Sequence, residues 1–512
     1  MRRHAEGFLI MEVLTTEQMA RADRSTIAAG TSGFTLMQSA GRAVADAARR
    51  MLGNRPGRVV VVAGPGNNGG DGFVAATELV TNGIEVTVVL LGDVTALKGD
   101  AALAARAWHG PVIAPRDGML DGCALIVDAL FGAGLNRTVD GEARALIEAI
   151  NTSGAPVLAV DLPSGINGNT GAAMGAAARA TETVTFFRKK PAHLLLPGRA
   201  HCGRIHVADI GIDRGVLDAI RPATFENAPS TWRYAFPRPS IDGHKYSRGH
   251  AVVVSGGLAS TGAARLAARG ALRAGAGLVT VASPPDALAV NAAALTAIMV
   301  RAVDRADDFT AMLEDKRINA CVVGPGGGVG EATRAKALAA IRADRGVVLD
   351  ADALTSFSDA PEALFSELKF HVKSRAILTP HEGEFSRLFR DLANKSSAYS
   401  KLELARLAAG QSGAVVLFKG PDTVIAAPDG HAVISANAPP WLATAGAGDV
   451  LAGLIAGLLA QNVAAFEAAS IGAWLHGEAA SEFGPGLIAE DLPEALPAVL
   501  RRLYAALDNP LR

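Results

Sequence analysis

Short runs of Val, Ile and Leu recur along this chain, each closed by glycine or proline and followed by an Ala-rich stretch with helical spacing. A continuous apolar run bounded by turn residues marks a strand buried on both faces. In the first half such runs predict strands at VVVVA (59–63), EVTVVLL (85–91), ALIVDAL (124–130) and PVLAVDL (156–162). In the second they predict HAVVVSGG (250–257), GLVTVASP (277–284), ACVVGPG (320–326), GVVLDAD (346–352), AILTP (376–380) and AVVLFKG (414–420). Strands alternating with helices predict an α/β fold with mainly parallel sheets in each half.

A stretch of different character separates the halves. Residues 221–243, RPATFENAPSTWRYAFPRPSIDG, hold four prolines and four aromatics in a chain that is only 5% aromatic. Proline density argues against a regular element and predicts a semi-rigid connector. With 512 residues, two domains are expected, spanning 1–220 and 244–512. The glycine loops of the two halves are alike, but the runs around them differ, so no duplication is read.

Composition narrows the function. Lys plus Arg (49) nearly balances Asp plus Glu (50), which argues against nucleic acid or an anionic membrane as the main partner and favours small-molecule chemistry. Cys123, Cys202 and Cys321 lie far apart with no CxxC spacing, so a disulfide framework or zinc site is not expected and a reducing cytoplasm is. Glu12 interrupts the apolar patch near the start before a signal segment could form, and Met11 is an alternative first residue. The other apolar runs fall short of the roughly 20 residues needed to span a bilayer. Ala-rich helical faces would permit a homo-oligomer, or simply fill a core.

In the first half, GPGNNGGDG (64–72) joins a strand to a helix, which aims backbone N–H groups and the helix dipole at one point. Gly64, Gly66 and Gly69 satisfy GxGxxG, with Asp93 at the distance of a ribose-binding acid, but a bare tight turn would read the same. Asn67, Asn68 and Asp71 exceed what a pyrophosphate loop needs. Asp128 and Asp161 sit at further strand exits, where ligands of open parallel sheets bind. With Asn68 and Ser164 they offer oxygens suited to a hard cation, although each Asp alone would serve as a turn cap.

GPGNNGGDG, DALFGAGL and DLPSGI, preceded by LTTEQMARADRSTI and LMQSAGRAVADAA, resemble the N-terminal domain of NAD(P)H-hydrate epimerases, a Rossmann-like three-layer α/β/α fold. The resemblance implies substrate contacts along Asn67, Asn68, Gly69, Gly70 and Asp71. It implies a second substrate loop at Gly132, Ala133, Gly134, Leu135, Asn136, Arg137 and Thr138. It further implies K+ at Asn68, Asp128 and Ser164, and Asp161 against the reacting ring as catalytic acid or base. TSG (31–33) and Gln38 depart from that pattern outside the ligand motifs.

In the second half, GAGD (446–449) opens a buried apolar helix. Its unshielded amides could hold a phosphoryl group in flight while Asp449, kept ionised by the helix dipole, takes a hydroxyl proton. An N-capping Asp is the plain alternative. KGPDT places Lys419, Gly420, Pro421, Asp422 and Thr423 just after a strand, suited to lining a nucleotide, and GPGGGVG (324–330) offers another anion-tolerant loop. TPHEGEF sets His381 and Glu384 at a helix entrance.

GAGD with KGPDT resembles the ribokinase superfamily. With HKYSRGHAVVVSGG, TGAARLAARGALRAGAGLVTV, LDADAL and PHEGEF the half is similar to ADP/ATP-dependent NAD(P)H-hydrate dehydratases, a ribokinase-like α/β/α fold. This implies nucleotide contacts at Lys419 to Thr423 and Gly448, hydrate contacts at Ala263, Gly326, His381 and Asp449, and Mg2+ with ADP or ATP as co-substrate. SRG (247–249) is a mild departure at the entry loop. The two resemblances together predict repair of hydrated NADH and NADPH (NADHX and NADPHX): epimerisation of the R and S forms, then nucleotide-dependent dehydration of the S form with release of AMP and phosphate when ADP is the donor. A vitamin or sugar kinase fused to a nucleotide-binding domain, and a non-catalytic nucleotide sensor, are the readings left beside it.

Overall fold

The computed structural model describes residues 11–53, 55–371, 375–395 and 398–508. The choice between Met1 and Met11 as first residue turns on residues outside these. The described residues divide into two compact units, one within 12–222 and one formed by Met11 with residues from 223 to 508.

The 12–222 unit carries seven strands: β1 (Val59–Ala63), β2 (Val86–Leu90), β3 (Val112–Ile113), β4 (Leu125–Ala129), β5 (Val157–Val160), β6 (Glu182–Phe186) and β7 (Arg204–Ala208). They form one parallel sheet in the order β3-β2-β1-β4-β5-β6-β7. Strand order reverses between β1 and β4, which opens a crevice at their carboxyl ends. Every residue of β1, β2 and β4 is buried, as continuous Val/Leu/Ile runs require between two helical layers.

Helix Asn67–Thr81 starts on Asn-Asn-Gly-Gly-Asp-Gly, poor helix formers that only packing can hold. The reason lies in close approach: a Cβ on Gly70 would press into Met37 and one on Gly72 into Ala129. A Cβ on Gly64 would overlap the Leu130 carbonyl, and one on Gly69 the Gly64 carbonyl. Two of the three glycines that match GxGxxG are therefore demanded by backbone-on-backbone contact. The TSG departure is a cap, since Ser32 Oγ accepts from Thr35 N at 3.1 Å and starts helix Gly33–Leu52.

In the second unit the strands are β8 (Thr224–Glu226), β9 (His250–Val254), β10 (Leu278–Ser283), β11 (Met299–Ala302), β12 (Ile318–Val323), β13 (Gly346–Leu349), β14 (Ala376–Leu378), β15 (Val415–Phe418), β16 (Val424–Ala426) and β17 (Ala432–Ile434). Their order is β11-β10-β9-β12-β13-β14-β15-β16-β17-β8, parallel from β11 to β15, with β16 antiparallel to its neighbours. Strand order reverses again, between β9 and β12. The buried helix Ala447–Ala460 lies on this sheet and against helix Thr261–Arg273, where Gly453 and Gly270 let the two backbones approach.

The expected connector 221–243 is corrected here. Thr224–Glu226 pairs with β17 as the edge strand of the second sheet, and Trp232 and Phe236 are buried in that unit's core. Trp232 packs edge-on against Trp474, ring centroids 5.6 Å apart, and donates from Nε1 to Asn227 Oδ1 at 3.0 Å. Trp232 and Phe236 supply core surface, which outweighs the breaking effect of the flanking prolines, while Tyr234 and most of residues 238–248 are exposed.

Candidate active sites

A cavity of about 630 Å³ opens at the carboxyl ends of β1, β4 and β5. Its wall includes Asn67, Asn68 and Asp71 from the first loop, Gly132 to Arg137 from the second, and Asp161. Gly69, Gly70 and Thr138 do not reach that wall: the two glycines are buried and Thr138 is exposed beyond it. Asp93 is turned away as well, its carboxylate accepting from Thr95 N and Oγ1 at 2.8 Å.

Asp161 is the most tightly constrained residue of the cavity. Its φ is +64°, a left-handed conformation that Asp tolerates better than most residues. Oδ1 accepts from Lys190 Nζ at 2.6 Å and Thr185 Oγ1 at 2.9 Å, and Oδ2 from Ala133 N at 3.0 Å. The backbone N–H donates to Val184 O, and the carbonyl accepts from His193 Nε2 at 2.9 Å, while His193 Nδ1 accepts from Lys190 N. Burial pushes the Asp161 carboxyl up, but the Lys190 ammonium beside it prevails and holds it below the ordinary carboxylate range. His193, fully buried and next to the same ammonium, is lowered to about 4 and is neutral. Asp161 is therefore a fixed carboxylate aimed into a cavity.

Three more carboxyls, Asp23, Asp71 and Asp100, share this wall. Asp71 is buried and held well above the ordinary range by desolvation and by Asp161 and Asp23. Asp23 comes from helix Thr16–Ala28, whose start is fixed by the Thr15 and Gln18 capping box. Sequence reasoning missed Asp23, Thr185, Lys190 and His193. A Lys-Lys pair in FRKKPAH reads as solvated surface, yet Lys190 is 1% exposed.

Below the cavity, Ser164 Oγ donates to Asp128 Oδ1 at 2.5 Å, Ser164 N donates to Oδ2 at 2.8 Å, and Phe131 N donates to Ser164 Oγ. Asp128 is fully buried, and desolvation raises its carboxyl to about 6 against the pull of those hydrogen bonds. The amide nitrogen of Asn68 is buried without a hydrogen-bond partner.

The second site gathers at the carboxyl ends of β12 to β15. Lys419, after β15, donates to Asp350 Oδ1, after β13, at 2.6 Å and lies 3.7 Å from Glu384 Oε2. Asp449 sits in the first turn of helix Ala447–Ala460, and a Cβ on Gly448 would stand 3.7 Å from Lys419 Nζ and 3.9 Å from Asp350 Oδ2. The helix dipole does not dominate Asp449 as expected: burial and the neighbouring Asp350 raise its carboxyl to about 6, with Lys419 pulling the other way. That value suits a general base near neutral pH.

The remaining expected residues divide. Gly326, with φ +64°, lies close to Ser260 and Ala263, so these two hydrate candidates adjoin. His381 is half-exposed and caps helix Glu382–Leu388 through Nδ1, which accepts from Gly383 N at 3.0 Å. Asp422 is buried and bonded to Lys401 Nζ at 2.7 Å, and Thr423 Oγ1 closes its own turn on Gly420. Loop 324–330 is less free than expected, because Gly328 N donates to Asp352 and Gly330 N to Ser356. His476 is buried beside this site, lowered to about 4 chiefly by desolvation.

Comparison with known proteins bears on both units. A family model described as NAD(P)H-hydrate dehydratase matches residues 251–497, and one described as YjeF-related protein N-terminus matches 33–192. The chain is 36% identical to the bifunctional NAD(P)H-hydrate repair enzyme Nnr of Moorella thermoacetica, over 96% of this chain and 97% of that one. The enzyme of the same name from Coxiella burnetii is 35% identical over 93% and 96%, and that of Escherichia coli 34% over 86% and 84%. A solved ADP/ATP-dependent NAD(P)H-hydrate dehydratase from Bacillus subtilis, co-crystallized with ATP/Mg2+, is 26% identical over 54% of this chain and 98% of that one, with a TM-score of 0.46.

Proposed function

The chain belongs to the bifunctional NAD(P)H-hydrate repair enzymes, joining an epimerase domain to an ADP/ATP-dependent dehydratase domain of ribokinase-like fold, and from that premise we propose how its residues divide the work. The hydrate carries a hydroxyl on C6 of the nicotinamide ring, a poor leaving group. In the second unit Asp449 takes the proton of that hydroxyl as it attacks the terminal phosphoryl group of the nucleotide. The amides at Gly446 to Gly448 and the Lys419 ammonium stabilise the charge of the transferring group. Phosphate then leaves from C6, C5 gives up a proton, and the ring double bond returns. With ADP as donor the other product is AMP. Lys419 to Thr423 line the nucleotide and Ala263, Gly326 and His381 the hydrate. Mg2+ bound to the nucleotide phosphates would neutralise their charge.

The observation that carries this division is Asp449, a carboxyl raised to about 6 in the first turn of a buried helix, beside Lys419 and an open glycine position. The dehydratase accepts the S form, and the first unit supplies it by epimerising R, with Asp161 acting at the C6 hemiaminal. The donor set at Asn68, Asp128 and Ser164 fits K+: Asp128 is a buried carboxyl whose bonds come from hydroxyl and amide groups, so a small cation beside it would supply the missing countercharge. K+ should then raise the melting temperature of the wild type and not that of Asp128→Asn.

The test is recovery of the dihydronicotinamide absorbance from a mixture of both hydrate epimers, with ADP or ATP added in turn. Full recovery in the wild type, lost in Asp449→Asn, supports the reading and names the donor. Recovery that stops at one epimer's share removes epimerisation from the first unit, and a stable phosphorylated product without recovery makes the second unit a kinase.

A further inference from the structure

Epimerisation at C6 needs more than the one carboxylate assigned to it. To invert the centre, the C6–O bond breaks, hydroxide takes a proton and leaves as water, and the N1 lone pair forms C6=N1. Water then adds to the opposite face and gives up a proton. One group must donate while another accepts, and Asp161 fills only the second role.

Resting on the epimerase reading of this cavity, we infer that Asp23 is the acid partner of Asp161, donating the proton with which the C6 hydroxyl departs, the two exchanging roles in the reverse direction. Asp23 enters the wall of the cavity from helix Thr16–Ala28 and Asp161 from the end of β5, so the two carboxyls approach one enclosed space from different elements. The charged groups around Asp23 are Arg24 on its own helix, Lys190 and Asp161 from the sheet end, and Asp71 from helix Asn67–Thr81. Lys190 is committed to Asp161, which it contacts at 2.6 Å. Desolvation accordingly keeps Asp23 raised to about 6 while Asp161 is lowered. Environments that push two carboxyls apart in this way separate an acid from a base. Asp71 is raised well above the ordinary range by desolvation, with Asp161 and Asp23 adding to it.

The test follows interconversion of the separated epimers without nucleotide, so that the second unit is idle. Asp23→Asn should slow interconversion about 100-fold or more, leave KM for the hydrate little changed, and recover in part in Asp23→Glu. In the wild type the pair must hold one proton between them, so kcat/KM should fall as pH rises through about 6, and Asp23→Asn should lose that limb. An Asp23→Asn protein with full rate, or a wild-type rate unchanged across that pH, overturns the inference. The wild-type profile needs no variant to fold. Absence of epimerisation in the wild type would instead sink the epimerase reading itself.

Discussion

Lys419 Nζ lies 2.6 Å from Asp350 Oδ1, so the cation of the second site is already paired, and Asp449 beside it titrates at about 6. A base must be ionised to accept a proton, so dehydration should fall as pH drops below about 6 and hold level above it. The profile of kcat/KM checks this. Asp449→Asn should lose the acid limb together with about 100-fold or more of the rate, and leave epimerisation intact.

Lys190→Met would leave Asp161 ionised and unpaired in a buried site. Breaking such a pair costs about 3–5 kcal/mol, which urea unfolding at neutral pH would measure. The sign of the pH effect is also fixed. Asp161 lies below its ordinary value of 3.8 in the fold, so its contribution to stability is full above that value and fades as pH falls towards the lowered one. In Lys190→Met the Asp161 carboxyl should rise instead, so lowering the pH towards the carboxylate range should reduce the variant's deficit relative to wild type.

Gly446 and Gly448 should separate folding from chemistry. Gly446 has φ +86°, and a Cβ there would stand 2.8 Å from Leu266 and 2.9 Å from Ala489, so Gly446→Ala should destabilise by about 1–3 kcal/mol. Gly448 lies inside the helix with room for a methyl group, so Gly448→Ala should melt at or above the wild-type temperature. Its methyl would nevertheless occupy the space proposed for the phosphoryl group, and nucleotide-dependent turnover should drop.

Trp232→Ala tests the reassigned segment. A buried Trp packed on Trp474 and Phe236 is worth about 3–5 kcal/mol, and the loss should appear in unfolding of the second unit while epimerisation persists. A true connector residue would show no such loss of stability.

How much of this was legible in the sequence depended on which force set each position. Val59–Ala63 reads directly because full burial between helices leaves only apolar residues. ETVTF and RIHVA (β6 and β7) escaped, since threonine, arginine and histidine interrupt the apolar run towards the sheet edge. Asp128 and Asp161 were found because a lone acid at the end of an apolar run has few structural reasons to be there. Lys190 could not be found that way, because its partner lies 29 residues earlier and meets it only through the pairing of β5 with β6. Asp422 is a mixed case: its place in the turn reads as a ligand position, and the pair it makes with Lys401, 21 residues earlier, is not legible in the sequence.

The left-handed backbone at Asp161 restricts which amino acids that position can ever sample. With φ at +64°, Asn and Gly enter without added strain, whereas alanine would lose the carboxylate and strain the main chain in the same step. An alanine variant there confounds chemistry with conformation, and asparagine is the informative replacement. For a drifting sequence the same geometry is a filter: the easiest single steps away from Asp161 keep the backbone, but each leaves the buried Lys190 ammonium without its carboxylate, so the fold itself resists losing this charge.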